Sequence, residues 1–252
     1  MLVERVFVRS RPLTQILGYA IEVYKKECAG VLLGDIMETA NKIVVNSAVA
    51  LQSAERGFNY VQPKDHKYQR ISEVLSFSSL DWIVGEFHSH TDFRGRKPSY
   101  RLSPEDREYI SKHHHTGEVE LVLSLKRTNR DFPWAYIDQN RVLSGTIGEY
   151  FFQFAAYSKE NEEDTGSLTE IWCPIEAVID IAQEFEIALK PGYIFGFIPR
   201  EFHRGRYRKL VRLIRKYEEK VIQKADEDAG MTELAQIKLL MKELSLMSNL
   251  YL

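Results

Sequence analysis

The pattern of apolar and polar positions divides the first 157 residues into short strands and amphipathic helices. Residues 42–50 have the β-branched, bounded composition of a strand, and residues 12–26 place their apolar side chains on one helical face. The same criteria predict strands at residues 3–8, 29–34, 42–50, 82–87, 119–125, 134–137 and 142–154, and helices at residues 12–26, 63–77 and 103–117. This succession predicts an α/β fold in which a mixed sheet is flanked by helices, without the strict alternation of a doubly wound parallel sheet.

The last third of the chain has a different pattern. Residues 158–168 are polar and acidic and predict a linker, so we expect one domain over residues 1–157 and an α-helical appendage over residues 169–252. A helix is predicted from residue 174 to residue 189. Two later apolar runs repeat at spacings of three and four on either side of Gly230, which predicts an αα-hairpin with a coiled-coil-like seam. The runs consist of Tyr207, Leu210, Ile214, Tyr217 and Val221, and of Leu234, Ile237, Met241 and Leu244.

Composition limits the class of protein. The 252 residues are 44% hydrophobic, which is enough to bury a core, and the net charge of −2 argues against nucleic-acid binding through overall charge. Cys28 and Cys173 form neither a CxxC motif nor a disulfide framework, which favours a reducing compartment. The first residues do not resemble a signal peptide, and the apolar runs are too short to span a bilayer. We therefore expect a soluble, cytoplasmic protein with no membrane contact.

The chemistry is concentrated where the predicted strand at residues 82–87 ends. His88 and His90 are two residues apart, so on a strand both imidazoles point to the same side. Two imidazoles and one carboxylate make a three-ligand zinc site whose fourth position stays open to water. Ser103 opens the next helix and places Asp106 in its first turn, where the carboxylate can be the third ligand.

Each of these pieces also has a structural interpretation. Ser103 followed by Pro104 is typical of any helix start, and a lone His-x-His often serves solubility or hydrogen bonding. The combination of the two motifs favours a metal site. An upstream acid supports this interpretation, because Glu27 comes just before an apolar strand that contains two glycines. The alternative for Glu27 is a surface acid that ends a charged turn.

Taken in order, these elements resemble the signature of the JAMM (MPN-plus, Mov34-like) zinc metalloprotease family. The resemblance covers roughly residues 3–157. It is carried by Glu27 before the Ala29-Gly30-Val31-Leu32-Leu33-Gly34 strand, by His88-Ser89-His90, and by Ser103-Pro104-Glu105-Asp106.

The resemblance implies a JAMM-like fold and an isopeptidase that uses one zinc ion per chain. His88, His90 and Asp106 would bind the zinc, and Glu27 would act as the general base. Ser103 would donate a hydrogen bond to the oxyanion of the tetrahedral intermediate. The substrate would be a ubiquitin-like protein or its conjugates, cleaved after the C-terminal tail.

The sequence departs from the family pattern around the histidines. Twelve residues separate His90 from Ser103, a longer loop than is usual, and Thr91 replaces the usual proline. Glu86 points to the same side of the strand as His88 and His90, so it is either a partner that orients one imidazole or a rival base. The loop at residues 91–102 is basic and suits an acidic partner surface or plain solvation.

Two histidine- or arginine-rich segments have alternative interpretations. Residues 113–115 are three consecutive histidines at a predicted helix end, where capping is favoured over a second metal site. In the predicted hairpin, Arg204, Arg208, Arg212 and Arg215 share one side of a helix. The simple interpretation is a solvated face; the alternative is a docking surface for an acidic protein, a second copy, a helical partner or nucleic acid.

The sequence therefore predicts a zinc-dependent isopeptidase that hydrolyses the amide bond between a ubiquitin-like modifier and a lysine or peptide. The alternatives are a non-catalytic MPN-type scaffold, a JAMM-like protein that processes a sulfur carrier, and a DNA-repair-associated JAMM-like protein.

Overall fold

The structure is a computed structural model that describes residues 2–52, 55–56, 61–62, 65–78, 81–92, 97–184, 204–224 and 229–248. These residues form two compact units, one ending at Cys173 and one beginning at Pro174. The first unit contains the strands β1 (Arg5–Val8), β2 (Ala29–Met37), β3 (Lys42–Ala50), β4 (Glu55–Arg56), β5 (Val61–Gln62), β6 (Trp82–Thr91), β7 (Val119–Arg127), β8 (Ala135–Ile137), β9 (Val142–Ile147), β10 (Tyr150–Ser158) and β11 (Ser167–Trp172). Its helices are α1 (Ser10–Glu22), α2 (Asp65–Ser78) and α3 (Pro104–His113), with one 3-10 turn at Glu38–Ala40.

Seven strands of the first unit close into a mixed barrel. Their order is β11-β1-β3-β2-β6-β7-β10, and β10 pairs back onto β11. β1 is parallel to both β3 and β11, and β6 is parallel to β7, whereas the remaining neighbours in the ring are antiparallel. Every strand of the ring therefore has a partner on both sides, and the ring has no free edge.

The barrel closes because one edge of β10 pairs with two different strands. Its first part, residues 150–155, pairs with β9, and β8 extends the sheet beyond β9. Its last residues, 156–158, pair with β11 instead. The other edge of β10 pairs with β7 along its whole length. β10 thus joins the closed ring and also carries the two-strand extension.

This closed barrel corrects two expectations. The prediction of a sheet flanked by helices in a JAMM-like arrangement is wrong, and the resemblance to the JAMM family is wrong with it, because the strands close into a mixed barrel. The physical reason is β11, which lies next to the segment predicted to be a linker and pairs with both β1 and β10. The predicted linker at residues 158–168 lies before the division after Cys173 that the structure shows.

A bulge in β6 sets the register of the residues that follow it. Leu32 pairs with Gly85 and Leu33 pairs with Ile83, so Val84 is an extra residue on the β6 side. Gly85 has a φ of 152°, and a Cβ there would lie 1.9 Å from the carbonyl oxygen of Val119. Only glycine fits this close approach of β6 and β7.

Successive side chains of β6 point to opposite faces of the strand, one toward the core and the other toward the candidate site. Phe87 is buried and its ring stacks on Tyr19 of α1, with ring centroids 6.4 Å apart. His88 and His90 point to the opposite side, toward α3. On that side, Leu102 and Ile110 pack with Val122 in a buried apolar cluster that fixes α3 against the barrel.

The second unit is helical, with α4 (Ile175–Glu184), α5 (Arg204–Lys224) and α6 (Met231–Ser248) among its described residues. α5 and α6 pack together through buried residues that include Ile214, Tyr217 and Ile237, as the spacing predicts. Gly230 has a φ of 88° at the turn just before α6, a conformation that favours glycine. Among the described residues, no helix is long and apolar enough to cross a membrane.

Candidate metal centre

The candidate site forms where the end of β6 meets the first turn of α3. His88 and His90 occupy the last residues of β6, and α3 begins at Pro104. Asp106 lies in the first turn of α3. The helix starts with a reciprocal capping box: the backbone N–H of Ser103 donates to Oδ2 of Asp106 at 2.7 Å, and the N–H of Asp106 donates to Oγ of Ser103 at 3.1 Å. The cap therefore fixes the carboxylate of Asp106 relative to the backbone.

The structure brings the three predicted ligands together. Nε2 of His88 lies 3.0 Å from Nε2 of His90, and the carboxylate oxygens of Asp106 lie 3.5 Å and 3.2 Å from these two nitrogens. Ligands of a tetrahedral zinc ion at about 2.0–2.1 Å are separated from one another by about 3.3 Å. The observed separations bracket this value, so the donor set fits a zinc ion.

Both imidazoles are held through their other ring nitrogen. Nδ1 of His88 lies 2.6 Å from Oε1 of Glu120, and Nδ1 of His90 lies 2.6 Å from the backbone carbonyl oxygen of Ser99. Carboxylate and carbonyl oxygens can only accept, so each Nδ1 carries the proton and donates it. When no second proton is bound, each Nε2 presents its lone pair to the centre. Such outer contacts orient histidines that bind metals.

The charges around this centre shift several pKa values. Burial alone would lower the pKa of His88, but the carboxylates of Asp106 and Glu120 outweigh burial and raise it well above its usual value. Burial would raise the pKa of Asp106, but its contacts with His88 and His90 hold it well below the usual range. Protons and a divalent cation therefore compete for the same electron pairs, and metal affinity should rise with pH.

Glu27 lies just before β2, beside the histidines. Burial raises its pKa above the usual value, although the nearby imidazoles of His90 and His88 oppose this shift. Its position is fixed through Ser89, the fully buried residue between the two histidines. Oγ of Ser89 accepts from the N–H of Cys28 at 2.9 Å, and the N–H of Ser89 donates to the carbonyl of Cys28 at 2.9 Å. The residue next to Glu27 is thus tied directly to the His-x-His segment.

The other predicted residues have the following surroundings. Ser103 caps α3, and its hydroxyl, which accepts one hydrogen bond there, keeps its own proton for donation. Glu86 accepts a hydrogen bond from the hydroxyl of Tyr109 at 3.2 Å and lies 4.0 Å from Nε2 of His114. In the second unit, Arg208, Arg212 and Arg215 are exposed on α5, and Arg204 is the first residue of that helix. Within the loop at residues 91–102, residues 93–96 lie outside the described part.

Sequence reasoning missed three residues that hold the site. Ser99 contributes only a backbone carbonyl, which no side-chain pattern reveals. Ser89 was present in the motif, but its bonds to Cys28 depend on the pairing of β2 with β6. Glu120 had a usable signal: it is the single acid in β7 and stands among the apolar residues 119–123, and its pair in β6 is Glu86. A buried charge in such a strand indicates a partner.

Comparisons with known proteins add one structural similarity. No family model and no curated protein matches the chain. Among solved structures, the chain is similar to the solution structure of protein DSY2949 from Desulfitobacterium hafniense, a structural genomics target. The sequences are 14% identical, the match covers 67% of this chain and 92% of that chain, and the TM-score is 0.44. The function therefore has to be argued from the geometry of the site.

Proposed function

We propose that this protein is a zinc-dependent hydrolase of amide bonds, with its active site at His88, His90 and Asp106. One observation carries the proposal: the two Nε2 atoms and the carboxylate converge within 3.5 Å, while both Nδ1 atoms are held by acceptors. When each Nδ1 keeps its proton and neither Nε2 carries one, both Nε2 lone pairs face the space between the three side chains and can be shared by one metal cation. The set offers three protein ligands, which is the number typical of catalytic zinc.

The chain's own residues divide the work of hydrolysis. When bound, zinc supplies Lewis acidity, which acidifies water and polarises a carbonyl group. Glu27 takes a proton from the attacking water and delivers it to the leaving amine, a role that suits a carboxyl group whose pKa is raised by burial. The hydroxyl of Ser103 donates to the oxyanion that develops on the carbonyl. Glu120 and Ser99 keep the imidazoles oriented.

The recessed position of the ligands favours a thin substrate. The side chains of His88, His90 and Asp106 are 10%, 14% and 22% exposed, so only a narrow part of the ligand surface is open to a substrate. A tail that ends in glycine has no Cβ and can lie extended in such a site. We therefore propose the isopeptide bond after the C-terminal tail of a ubiquitin-like modifier as the substrate class.

A substrate panel tests this proposal. Full-length, zinc-loaded protein is incubated with isopeptide-linked modifier dimers, linear modifier fusions and an unfolded casein-like protein, and products are identified by mass spectrometry. We expect cleavage after the terminal glycine of the modifier, which stops when zinc is chelated and resumes when zinc is returned. Digestion of casein at many sites would contradict the substrate class. Stoichiometric zinc with no cleavage of any amide would favour a non-catalytic scaffold.

A further inference from the structure

A second cluster of side chains that could bind a metal ion lies next to the first, on the Glu120 side of His88. It consists of Glu86 on β6, Glu120 on β7 and His114, the residue that follows α3. Nε2 of His114 lies 3.2 Å from Oε2 of Glu120 and 4.0 Å from Oε2 of Glu86. One ligand atom from each of the three residues lies within 4.8 Å of the other two. This cluster shares no predicted ligand with the first one.

Two atoms of this cluster are buried without a hydrogen bond in the described part of the chain. They are Nε2 of His114 and Oε2 of Glu120, and the two residues are only 5% and 4% exposed. At 3.2 Å the two atoms are close enough for a hydrogen bond, so the missing requirement is the alignment of the ring N–H with the carboxylate oxygen. A metal ion bound between the two atoms would give both of them a partner.

The charge of the cluster also calls for a cation. Glu86 and Glu120 are direct neighbours in the register of β6 and β7, so two carboxylates lie beside the imidazole of His114, and Glu120 also accepts from His88. The side chains of His114 and Glu120 are 3% and 5% exposed, and that of Glu86 is 16% exposed. Placing like charges together in such a region is costly unless cations compensate them. The hydroxyl of Tyr109 donates a hydrogen bond to Glu86. A protonated His114 in an ordinary ion pair is the competing arrangement, and it predicts an aligned N–H···O bond.

We propose that Glu86, His114 and Glu120 bind a second divalent transition-metal ion. One imidazole and two carboxylates form a donor set that suits zinc, and it also accepts manganese or ferrous iron. Glu120 connects the two sites: Oε1 accepts from Nδ1 of His88, while Oε2 faces His114. An ion in the second site would therefore fix the carboxylate that orients a ligand of the first site.

Metal stoichiometry in the full-length protein tests this proposal, with zinc as the probe. Protein is saturated with zinc, passed over a weak chelating resin, and measured by native mass spectrometry and elemental analysis. We expect two zinc ions in the wild type, one in His90→Ala, one in Glu86→Gln and none in the double variant. His90 is the right choice for the first site because its Nδ1 is held by Ser99 and not by the second cluster.

Matched variants guard against misfolding. Glu86→Gln keeps an oxygen that can accept from Tyr109, so the hydrogen bond survives while the ligand charge is lost. His114→Gln removes the second ligand and should also leave one ion. His115→Gln changes the exposed neighbour in the same histidine run and should retain two. Circular dichroism and melting temperature establish that each variant is folded.

The outcomes are distinguishable from failure of the proposed function. One zinc ion in the wild type, lost in His90→Ala and kept in Glu86→Gln and His114→Gln, would overturn the second site and leave the first intact. Two ions in the wild type that both persist in folded Glu86→Gln and His114→Gln would also overturn it. One ion that persists in His90→Ala but disappears in Glu86→Gln would support the second site and contradict the first.

Discussion

Two clusters of charged and ionisable side chains in this protein look similar but behave differently. In the helical unit, Nζ of Lys216 and Nζ of Lys220 lie 3.0 Å and 2.8 Å from the same oxygen of Glu233, whose side chain is 2% exposed. In the barrel unit, His88, His90 and Asp106 are equally close. The first cluster holds its own cations. The second consists of two imidazoles and one carboxylate, all of which can donate electron pairs to a bound metal ion.

The difference between the two clusters is whether the buried charge is already compensated by side chains of the protein. The bonds from Lys220 and Lys216 lower the pKa of Glu233 to about 2, so that cluster is already compensated and serves to join α5 to α6. In the histidine cluster, Glu120 and the backbone carbonyl of Ser99 accept from the Nδ1 atoms of His88 and His90. These bonds orient both Nε2 atoms toward the centre of the cluster. Clusters of the second kind are where a ligand should be sought.

The largest expected effect concerns the scaffold of the histidine cluster. A chain ending at Ser158 lacks β11, so β1 and the last residues of β10 lose a partner and the barrel is opened. We expect no cooperative unfolding transition and no stoichiometric zinc. A chain ending at Cys173 keeps the whole barrel unit and serves as the control, which should melt cooperatively and bind zinc. Calorimetry decides, and a cooperative transition in the shorter chain would show that β11 is dispensable.

Loss of one ligand should come next. Asp106→Asn keeps an oxygen that can accept from the N–H of Ser103, so the cap of α3 survives. Removing the ligand charge should nevertheless cost several kcal/mol of transition-state stabilisation, on the order of 10³- to 10⁴-fold in kcat/KM. Zinc at the first site should be lost in parallel. Full activity in a folded Asp106→Asn variant would contradict the assignment.

Removal of the general base should spare the metal. Glu27→Gln should retain zinc and lose roughly 10²- to 10⁴-fold in turnover, the range for a positioned base. Because burial raises the pKa of Glu27, wild-type activity should rise with pH through a value above that of an ordinary glutamate. Glu22→Gln, an exposed change at the end of α1, is the control. An active Glu27→Gln beside a Glu86→Gln variant that is inactive although it keeps all of its zinc would mean that the base is the other carboxylate.

A smaller loss is expected when the position of Glu27 is disturbed. Ser89→Ala removes the acceptor for the N–H of Cys28 without touching a ligand. A misplacement of this kind should lower kcat on the order of 10- to 100-fold while KM and zinc content stay unchanged. Ser99→Ala is a matched control, because the carbonyl that holds His90 belongs to the backbone. Loss of zinc in Ser89→Ala would show that the residue supports the ligands instead.

The smallest effect should be in the helical unit. The pKa of Glu233 is lowered on folding, so its contribution to stability is present above the unfolded value of about 4.3 and is lost as the pH falls toward about 2. Glu233→Gln should remove this pH dependence and lower the melting temperature by a few degrees, since both lysines are partly exposed. Zinc content should stay the same. An unchanged acid transition would contradict the ion-pair account.

Local patterns predicted much of the secondary structure, and long-range pairing explains the failures. The strand at residues 42–50 and the helix start at Ser103 were confirmed, because periodicity and caps act over a few residues. The predicted strand at residues 142–154 is two strands, β9 and β10, joined at Gly148 and Glu149, where Gly148 has a φ of 58°. Closure by β11 requires its pairing with β1, which is more than 150 residues away in sequence, and no local pattern encodes that pairing.

For the candidate metal site, too, the local features were predictable from the sequence and the long-range contacts were not. The spacing of His88 and His90 on one strand face, and Asp106 in a first helical turn, follow from local geometry, and the structure places these three residues together. The residues that hold them come from other strands or from the backbone. His114 was interpreted as a helix cap, yet its side chain is buried beside Glu120, which only the packing of α3 on β7 determines.

The central claim is that His88, His90 and Asp106 bind a divalent metal ion through Nε2, Nε2 and the carboxylate. A crystal structure of the zinc-soaked protein, with anomalous data collected on both sides of the zinc absorption edge, tests it most directly. We predict a peak at about 2.0–2.1 Å from both Nε2 atoms and about 2.0–2.2 Å from a carboxylate oxygen of Asp106. At saturating zinc, the absence of a peak between these three side chains would contradict the claim.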